Sequence, residues 1–196
     1  MLERIHARLS RLSQVAAWAG GAALTLTAIM VTFDVLSRKF IGWTLGGSDE
    51  ITGYVFAAAT TWAYSYCLLH RANVRIDAIY NWLPRWLKAS LDLASIAMLL
   101  IFVGFLTGRA FNTFYDSLVN STISITPLKT PLWIPQAFWV AGLVFFLATL
   151  VFMLIFAGRA FIGRDFAAVN RNAGAITIEE EVEEDTRGTE AERRHG

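Results

Sequence analysis

Two clusters of charged residues are the best candidates for chemistry in this sequence. Asp34 and Arg38 lie four residues apart at the end of a long apolar run, a spacing that lets their side chains pair on one face of a helix. Asp49 and Glu50 follow Ser48 at the start of the next apolar run, where carboxylates stabilise a helix N-terminus and a serine can cap it. These residues predict capping and anchoring at membrane ends or, alternatively, contacts that fix the loops of a partner protein.

The sequence does not predict an enzyme. Of the three histidines only His70 lies beside an apolar run, so two histidines of this chain cannot hold a haem within a membrane. The single Cys67 cannot form a disulfide within the chain. The motifs of serine hydrolases, zinc proteases, dinucleotide-binding folds and phosphate-binding glycine loops do not occur. We therefore predict no catalytic residue, no cofactor and no metal site.

The composition predicts a membrane protein. Hydrophobic residues make up 55% of the 196 residues and charged residues only 17%, whereas a soluble domain has about 25% charged residues. Half of the sixteen acids lie beyond residue 178, so the first 178 residues carry fourteen basic and eight acidic residues, a net charge of +6. A basic and apolar body suggests a membrane. Nucleic acid is disfavoured, because the basic residues are tied to the ends of apolar runs instead of gathering on one soluble face.

Four apolar runs are long enough to cross a bilayer, which needs about 20 residues of α-helix. They cover residues 15–33, 51–69, 93–108 and 132–158. With their flanks they predict an all-α membrane domain over residues 14–165, with four transmembrane helices at about 15–36, 50–69, 89–110 and 132–158. The first run is longer than the core of a secretion signal and ends in bulky residues, so we expect it to be a retained anchor.

Basic residues in the short flanks predict the orientation of these helices. The segment before the first run, the loop at 70–92 and the flank at 159–178 contain three, four and three of them, whereas the loops at 37–50 and 109–131 contain two each. Both termini and the central loop are therefore predicted to be cytoplasmic. Residues 1–13 are predicted to form an amphipathic cytoplasmic segment, and residues 166–196 an acidic, disordered cytoplasmic tail.

The loop between the second and third runs interleaves aromatic residues with cations. Its apolar residues recur at helical spacing, and Pro84 must interrupt or restart any helix there. We predict a short amphipathic helix along the cytoplasmic interface, with tryptophans at headgroup depth and cations on lipid phosphate. An ordinary loop with positive-inside charge is the alternative. The predicted contacts with membrane phospholipid are Arg71, Arg75, Trp82, Arg85, Trp86 and Lys88.

The cores of the four runs lack the residues that transport chemistry uses. None of them contains Asp, Glu, Lys, Arg or His, although ion-coupled transporters generally keep such residues inside the membrane. Sites built from broken helices need matching Gly or Pro interruptions in two runs, and these are missing from the sequence as well. A substrate pathway made by this chain alone is therefore disfavoured.

Stripes of small or aromatic residues instead predict helix packing. Small residues recur every four positions in the second run and in the first, which allows close helix approach, at Gly53, Ala57, Thr61 and Ser65 and at Ala17, Gly21 and Thr25. These faces can pack against each other within one bundle or receive a partner's helices. In the fourth run the stripe is aromatic, and its default neighbour is lipid, at Phe138, Phe145 and Phe152. The residues predicted to contact a partner are Asp34, Arg38, Asp49, Glu50, Gly53, Ala57 and Thr61.

Four ordered segments resemble a known family of membrane subunits. They are "FDVLSRKF" at 33–40, "SDEITGYVF" at 48–56, "HRANVRID" at 70–77 followed by "WLP" at 82–84, and "TPLWIPQAFWVAG" at 130–142. In this order and spacing they resemble the small, DctQ-type membrane subunit of tripartite ATP-independent periplasmic (TRAP) transporters. Lys39 departs from the family, which usually has an aromatic residue after the arginine.

The resemblance implies a role that the residues alone do not supply. Subunits of this family work with a large permease subunit that holds the substrate and sodium sites and moves as an elevator. A periplasmic substrate-binding protein delivers the substrate, typically a small organic acid. The small subunit widens the static scaffold in the bacterial inner membrane. Two alternatives stay open at this point: a self-contained small transporter, and a non-catalytic subunit of another membrane complex.

Overall fold

The computed structural model describes residues 2–70 and 83–163, and these residues form four α-helices. The helices are α1 (Leu2–Phe40), α2 (Ser48–Leu69), α3 (Arg85–Val119) and α4 (Trp133–Ile162). The described residues contain no β-strand, and one isolated β-bridge joins Ile123 to Pro131 in the loop between α3 and α4. The all-α prediction is therefore confirmed. The tail at 166–196 lies outside the described residues.

Three of the four described helices are long and apolar enough to cross a membrane: α1, α3 and α4. The second helix has 22 residues, which gives a length of about 33 Å. It is not among the three, because threonine, serine, tyrosine and tryptophan interrupt its apolar residues. Three of the predicted spans thus correspond to helices able to cross a membrane, and a crossing by α2 stays a prediction.

Two helices extend beyond their predicted ends. Residues 2–13 form the first turns of α1 and continue directly into the first apolar run, since no proline or glycine interrupts the chain before Gly20. The third helix ends at Val119 instead of near residue 110, because residues 109–119 also contain no helix breaker. It starts at Arg85, with Pro84 at the N-cap position. The predicted loop at 109–131 is therefore shorter, at 120–132.

The helices pack in the order α1, α2, α4 and α3, each antiparallel to its sequence neighbours. One end of the bundle, here called the N-terminal end, contains the starts of α1 and α3 and the ends of α2 and α4. There the ring of His6 lies 6.2 Å from that of Phe152, and Leu69 and Ala157 join one buried cluster. The opposite end, called the loop end, carries the connections at 41–47 and 120–132. The start of α1 and the end of α4 therefore lie at the same end.

The main hydrophobic cluster joins α2, α3 and α4 at the N-terminal end, with Ile96, Leu150 and Met153 among its buried residues. A smaller cluster toward the loop end contains Ala110, Val140 and Leu143. The first helix contributes little buried surface, so most of its apolar side chains are exposed to whatever surrounds the bundle.

Glycines set the two closest approaches between helices. An added Cβ at Gly20 would lie 3.2 Å from the Cβ of Ala59, so α1 and α2 touch there. An added Cβ at Gly142 would lie 2.8 Å from Cδ1 of Trp62 and would overlap Thr61. Such distances are too short for a side chain of any size, so Gly142 fixes the spacing between α2 and α4.

Substitution of Gly142 tests this spacing. Gly142→Ala should lower the free energy of unfolding by about 1–3 kcal/mol, because the methyl group overpacks against Thr61 and Trp62. Gly158→Ala on the same helix is the control: its added Cβ meets nothing within 4 Å, so the variant should be as stable as the wild type or more so. Unfolding by denaturant in mixed micelles measures both. Equal losses in the two variants would contradict the close approach.

Candidate functional site at the loop end

Asp34 is a buried carboxylate near the end of α1, with only 3% of its surface exposed. Its Oδ1 atom accepts hydrogen bonds from the backbone N–H of Leu45 at 2.7 Å and the hydroxyl of Thr44 at 3.0 Å. Its Oδ2 atom accepts one from the hydroxyl of Ser48 at 2.8 Å. All three donors belong to the connection between α1 and α2 or to the first residue of α2. One carboxylate therefore holds the whole turn that reverses the chain.

The backbone of this turn needs glycine. Gly46 and Gly47 have φ angles of +63° and +147°, a region that L-residues with side chains rarely adopt. An added Cβ at Gly47 would also overlap the side chain of Leu128 in the other connection of the loop end. The turn at 41–47 is thus packed directly against the loop at 120–132.

Glu50, in the first turn of α2, ties the second connection to the bundle. Its Oε1 atom accepts a hydrogen bond from the hydroxyl of Tyr54 at 2.6 Å, and its Oε2 atom accepts one from the hydroxyl of Thr126. Thr126 lies in the loop between α3 and α4. The carboxylate therefore links two parts of the chain that are 76 residues apart.

The loop that carries Thr126 is itself ordered by short-range hydrogen bonds. The backbone N–H of Ser124 donates to the carbonyl of Thr130 at 2.9 Å, and that of Leu132 donates to the carbonyl of Thr122 at 3.0 Å. The hydroxyls of Ser124 and Thr126 lie 2.6 Å apart. This hairpin-like shape places Thr126 beside Glu50.

Together these contacts define a polar tie, made of Asp34 and Glu50 with their hydroxyl and amide donors. The oxygen atoms of both carboxylates accept hydrogen bonds from donors within the chain, so these carboxylates have a structural role. No group of three or more His, Cys, Asp or Glu in the described part of the chain could hold a metal ion. The arrangement fits a rigid end of a helical bundle.

The structure changes two predictions about this cluster. The hydrogen bonds of Asp34 go to the turn and not to Arg38, which is exposed one helical turn further on. Ser48 does not cap α2: the N-cap position is Gly47, and the serine hydroxyl donates to Asp34 instead. Asp49 and Glu50 do lie in the first turn of α2, as predicted, and Asp49 is exposed.

The predicted small-residue stripe of α2 divides into two parts. Gly53 is exposed with open space around it, and Ala57 is half-buried. Thr61 and Ser65 are buried inside the bundle, facing Gly142 and Thr149 of α4. A partner protein therefore cannot reach Thr61 without separating α2 from α4.

The other two predicted stripes, on α1 and α4, differ from the default predictions of packing within the bundle and of contact with lipid. In α1, the stripe of Ala17, Gly21 and Thr25 lines an open groove and is not packed within the bundle. In α4, Phe138 is exposed, but Phe145 stacks on Trp62 at 5.6 Å. Phe152 contacts the rings of His6 and Phe156. The aromatic stripe is therefore mostly an internal packing surface.

Half of the predicted phospholipid contacts can be placed. Arg71, Arg75 and Trp82 lie outside the described residues, together with the predicted interfacial helix. Arg85 is the first residue of α3, and the neighbouring Trp86 is 57% exposed. Lys88 is half-buried and interacts within the chain. These positions are compatible with a headgroup contact for Trp86, which stays a prediction.

The hydroxyl donors of the tie were not predicted. In the sequence, Thr44 and Thr126 lie in polar loops. Their spacing does not indicate which carboxylate they approach. The only local signal is the run of serines and threonines at 121–126, a composition typical of turns. Pairing it with Glu50 needs the tertiary structure.

These features define an α-helical membrane protein whose polar chemistry is concentrated at the ends of its helices. The sequence of residues 27–161 matches the family described as tripartite ATP-independent periplasmic transporters, DctQ component. This match covers more than half of the chain, and the chain therefore belongs to the DctQ family, the small permease component of TRAP transporters. No curated protein and no solved structure matches it.

Removal of the Asp34 carboxylate tests the first half of the tie. Asp34→Ala should lower the free energy of unfolding by about 2 kcal/mol or more, because the backbone amide of Leu45 and two hydroxyls lose their acceptor. Asp49→Ala removes an exposed acid from the same region and should change stability by less than about 0.5 kcal/mol. Unfolding in mixed micelles measures both variants. A neutral Asp34→Ala would show that the turn does not depend on this side chain.

A double-mutant cycle tests the second half. Glu50→Gln and Thr126→Val should show a coupling energy of about 1 kcal/mol or more, since the two side chains share a charge-assisted hydrogen bond. The control cycle pairs Thr126→Val with Asp49→Asn, which lies beside Glu50 but is exposed, and it should show additive effects. Additivity in both cycles would mean that the loop is held by other contacts.

Proposed function

We propose that this protein is the small permease subunit of a sodium-coupled TRAP transporter for a small organic acid. It acts as the static scaffold of a large, elevator-type permease subunit, which works with a periplasmic substrate-binding protein. Membership of the DctQ family supports the assignment to the small permease component. The rest of the proposal is supported by the polar groups inside the bundle.

The observation that carries the proposal is the chemistry of the buried side chains at mid-depth. The polar residues buried there in the described part of the chain are hydroxyl-bearing: Thr61, Ser65, Thr107 and Thr149. The threonine hydroxyls donate to backbone carbonyls of their own helices, at 3.0, 2.7 and 2.9 Å. Such groups are satisfied locally and leave no charge to bind or move an ion.

The helices around these residues also lack the breaks that build a neutral substrate site. Each of the four described helices is continuous between its two ends. Transporters that bind solutes at mid-depth commonly do so with discontinuous helices, whose freed backbone groups coordinate the solute. The substrate and sodium sites are therefore assigned to the large subunit.

Rigidity is the property that a scaffold needs, and the loop end supplies it. Asp34 fixes the turn between α1 and α2, and Glu50 fixes the loop between α3 and α4. A part that moves during transport would instead need connections that change conformation readily. The chain thus suits the static part of an elevator-type transporter.

Charge supports the proposed orientation in the bacterial inner membrane. The N-terminal end of the bundle carries the basic residues Arg4, Arg8 and Arg11 of α1 and Arg159 of α4. The positive-inside rule assigns this end, and with it both termini, to the cytoplasm. The loop end then faces the periplasm, where a binding protein would approach.

Reconstitution tests the scaffold role. Proteoliposomes containing this chain alone should not accumulate a labelled small organic acid under an inward sodium gradient, since the polar groups buried at mid-depth in residues 2–70 and 83–163 are locally satisfied hydroxyls. Proteoliposomes that also contain the co-expressed large subunit, with the binding protein added outside, should accumulate it. Empty liposomes and the complete system without a sodium gradient are the controls. Sodium-driven uptake by this chain alone would overturn the proposal.

A further inference from the structure

The outer face of α3 carries an arginine in an unexpected place. Arg109 is exposed and lines a recess of about 600 Å³ together with Gly104, Gly108, Asn112 and Leu147. An added Cβ at Gly108 would meet nothing within 4 Å. The two glycines are four residues apart, a spacing that lets a second helix approach closely, and little of this chain occupies that space.

Arg109 lies well inside its own helix, at the level of the middle of α2. Its neighbour Ala110 is buried against Val140 and Leu143 of α4, and between them Gly142 lies against Thr61 of α2. Thr61 is 13 residues from the start of α2 and 8 from its end, close to the centre of that helix. Since α3 continues for ten residues beyond Arg109, the arginine is about 15 Å from the end of its own helix.

Lipid tails are a poor environment for this side chain. An arginine near the bilayer centre is among the costliest residues to expose to hydrocarbon, and such residues almost always pair with a group inside a protein complex. The Cα–Cβ bond of a helical residue tilts toward the helix N-terminus. For Arg109 this direction leads away from the loop end, which is the nearer end of α3.

The described residues of this chain offer no acid at the depth of Arg109. Asp116 is seven residues away on α3, about 10 Å along the axis, and an ion pair within one helix needs a spacing of three or four. Asp92 is 17 residues away toward the N-terminal end. Asp34 and Glu50 are engaged at the loop end. A second copy in the same orientation would present the same residues at the same depths, so it could not neutralise the arginine either.

We propose that this face of α3 docks a transmembrane helix of a different membrane protein, which carries a carboxylate at mid-depth to pair with Arg109. Gly104 and Gly108 let the two backbones approach, and the amide of Asn112 provides further hydrogen bonds across the interface. The inference rests on the proposed function for the identity of the partner: the docking helix belongs to the large permease subunit.

A second surface of the bundle shows why the charge of Arg109 favours the recess on α3 as the docking face. A groove of about 710 Å³ lies between α1, α2 and the start of α4, lined largely by apolar side chains such as Val15, Val55 and Phe138. Lipid tails satisfy such a lining as well as a protein does, so its occupant is not specified. The recess on α3 differs, because a guanidinium at mid-depth needs an anionic partner.

Co-purification with the large subunit tests the docking face. The tagged chain and the large permease subunit of the same transporter are co-expressed, and the large subunit retained in mild detergent is quantified. Arg109→Leu should reduce retention about tenfold, which corresponds to about 1.4 kcal/mol, and Arg109→Lys should reduce it less. The control Arg159→Leu removes an exposed arginine at the N-terminal end and should retain the large subunit within about twofold of wild type.

Two further measurements separate docking from misfolding and from lipid contact. The thermal stability of each purified variant without the large subunit should match that of the wild type, since Arg109 is exposed. A photo-crosslinking residue at Asn112 should attach to the large subunit, and the attached peptide should lie in a helix with an acidic residue. Arg109→Glu combined with a basic residue at that acid should restore retention.

The outcomes distinguish this inference from the function on which it rests. A wild-type chain that does not retain the co-expressed large subunit overturns the proposed function and the docking face together. Retention by wild type and Arg109→Leu alike, with crosslinks only to lipid, overturns the docking face and leaves the proposed function standing.

Discussion

The hydrogen bonds of the Asp34 carboxylate are the interaction on which the arrangement of this bundle most depends. The first helix packs mainly against α2, so its position follows from where the turn between them places it. That turn has three donors on one buried carboxylate and glycines at positive φ. Without the acceptor, the backbone amide of Leu45 and the hydroxyls of Thr44 and Ser48 would lose this partner. The chain therefore keeps a charged group where burial alone would disfavour it.

The same physical constraint explains why polar chemistry concentrates at the loop end. Within hydrocarbon, backbone groups must be satisfied inside each helix, so the middle of the bundle tolerates only residues that do not disturb this pattern. Threonines that donate to their own helix meet the condition, and Gly20 and Gly142 allow helices to touch. Asp34 and Glu50 lie near helix ends, where the chain leaves the helical state and exposes unsatisfied donors. The rigid loop end and the hydroxyl-bearing residues buried in the middle of the bundle are consequences of one rule.

Arg109 is an exception to this pattern, because it is a charged residue on the outer face of α3. Its position bears on whether the subunit is complete by itself. A bundle that satisfied all its own polar groups could stand alone in lipid. In the proposed docking, the exposed guanidinium of Arg109 leaves the free subunit incomplete, which agrees with a component of a larger assembly. The hydroxyls buried inside the bundle and the exposed guanidinium of Arg109 thus both support the proposed role as a subunit of a larger membrane complex.

The sequence by itself determined the helical class, three helices long and apolar enough to cross a membrane, the helix start after Pro84 and the family. Length, apolar composition and helix breakers act locally, so they can be read from the order of residues. The tertiary structure alone decided that Asp34 accepts hydrogen bonds from the turn, that Thr126 reaches Glu50, and that Thr61 is internal. It also placed Arg109 ten residues before the end of α3, at the level of the middle of α2. Each of these depends on which residues distant in sequence become neighbours, and a helical pattern specifies a face without specifying what packs against it.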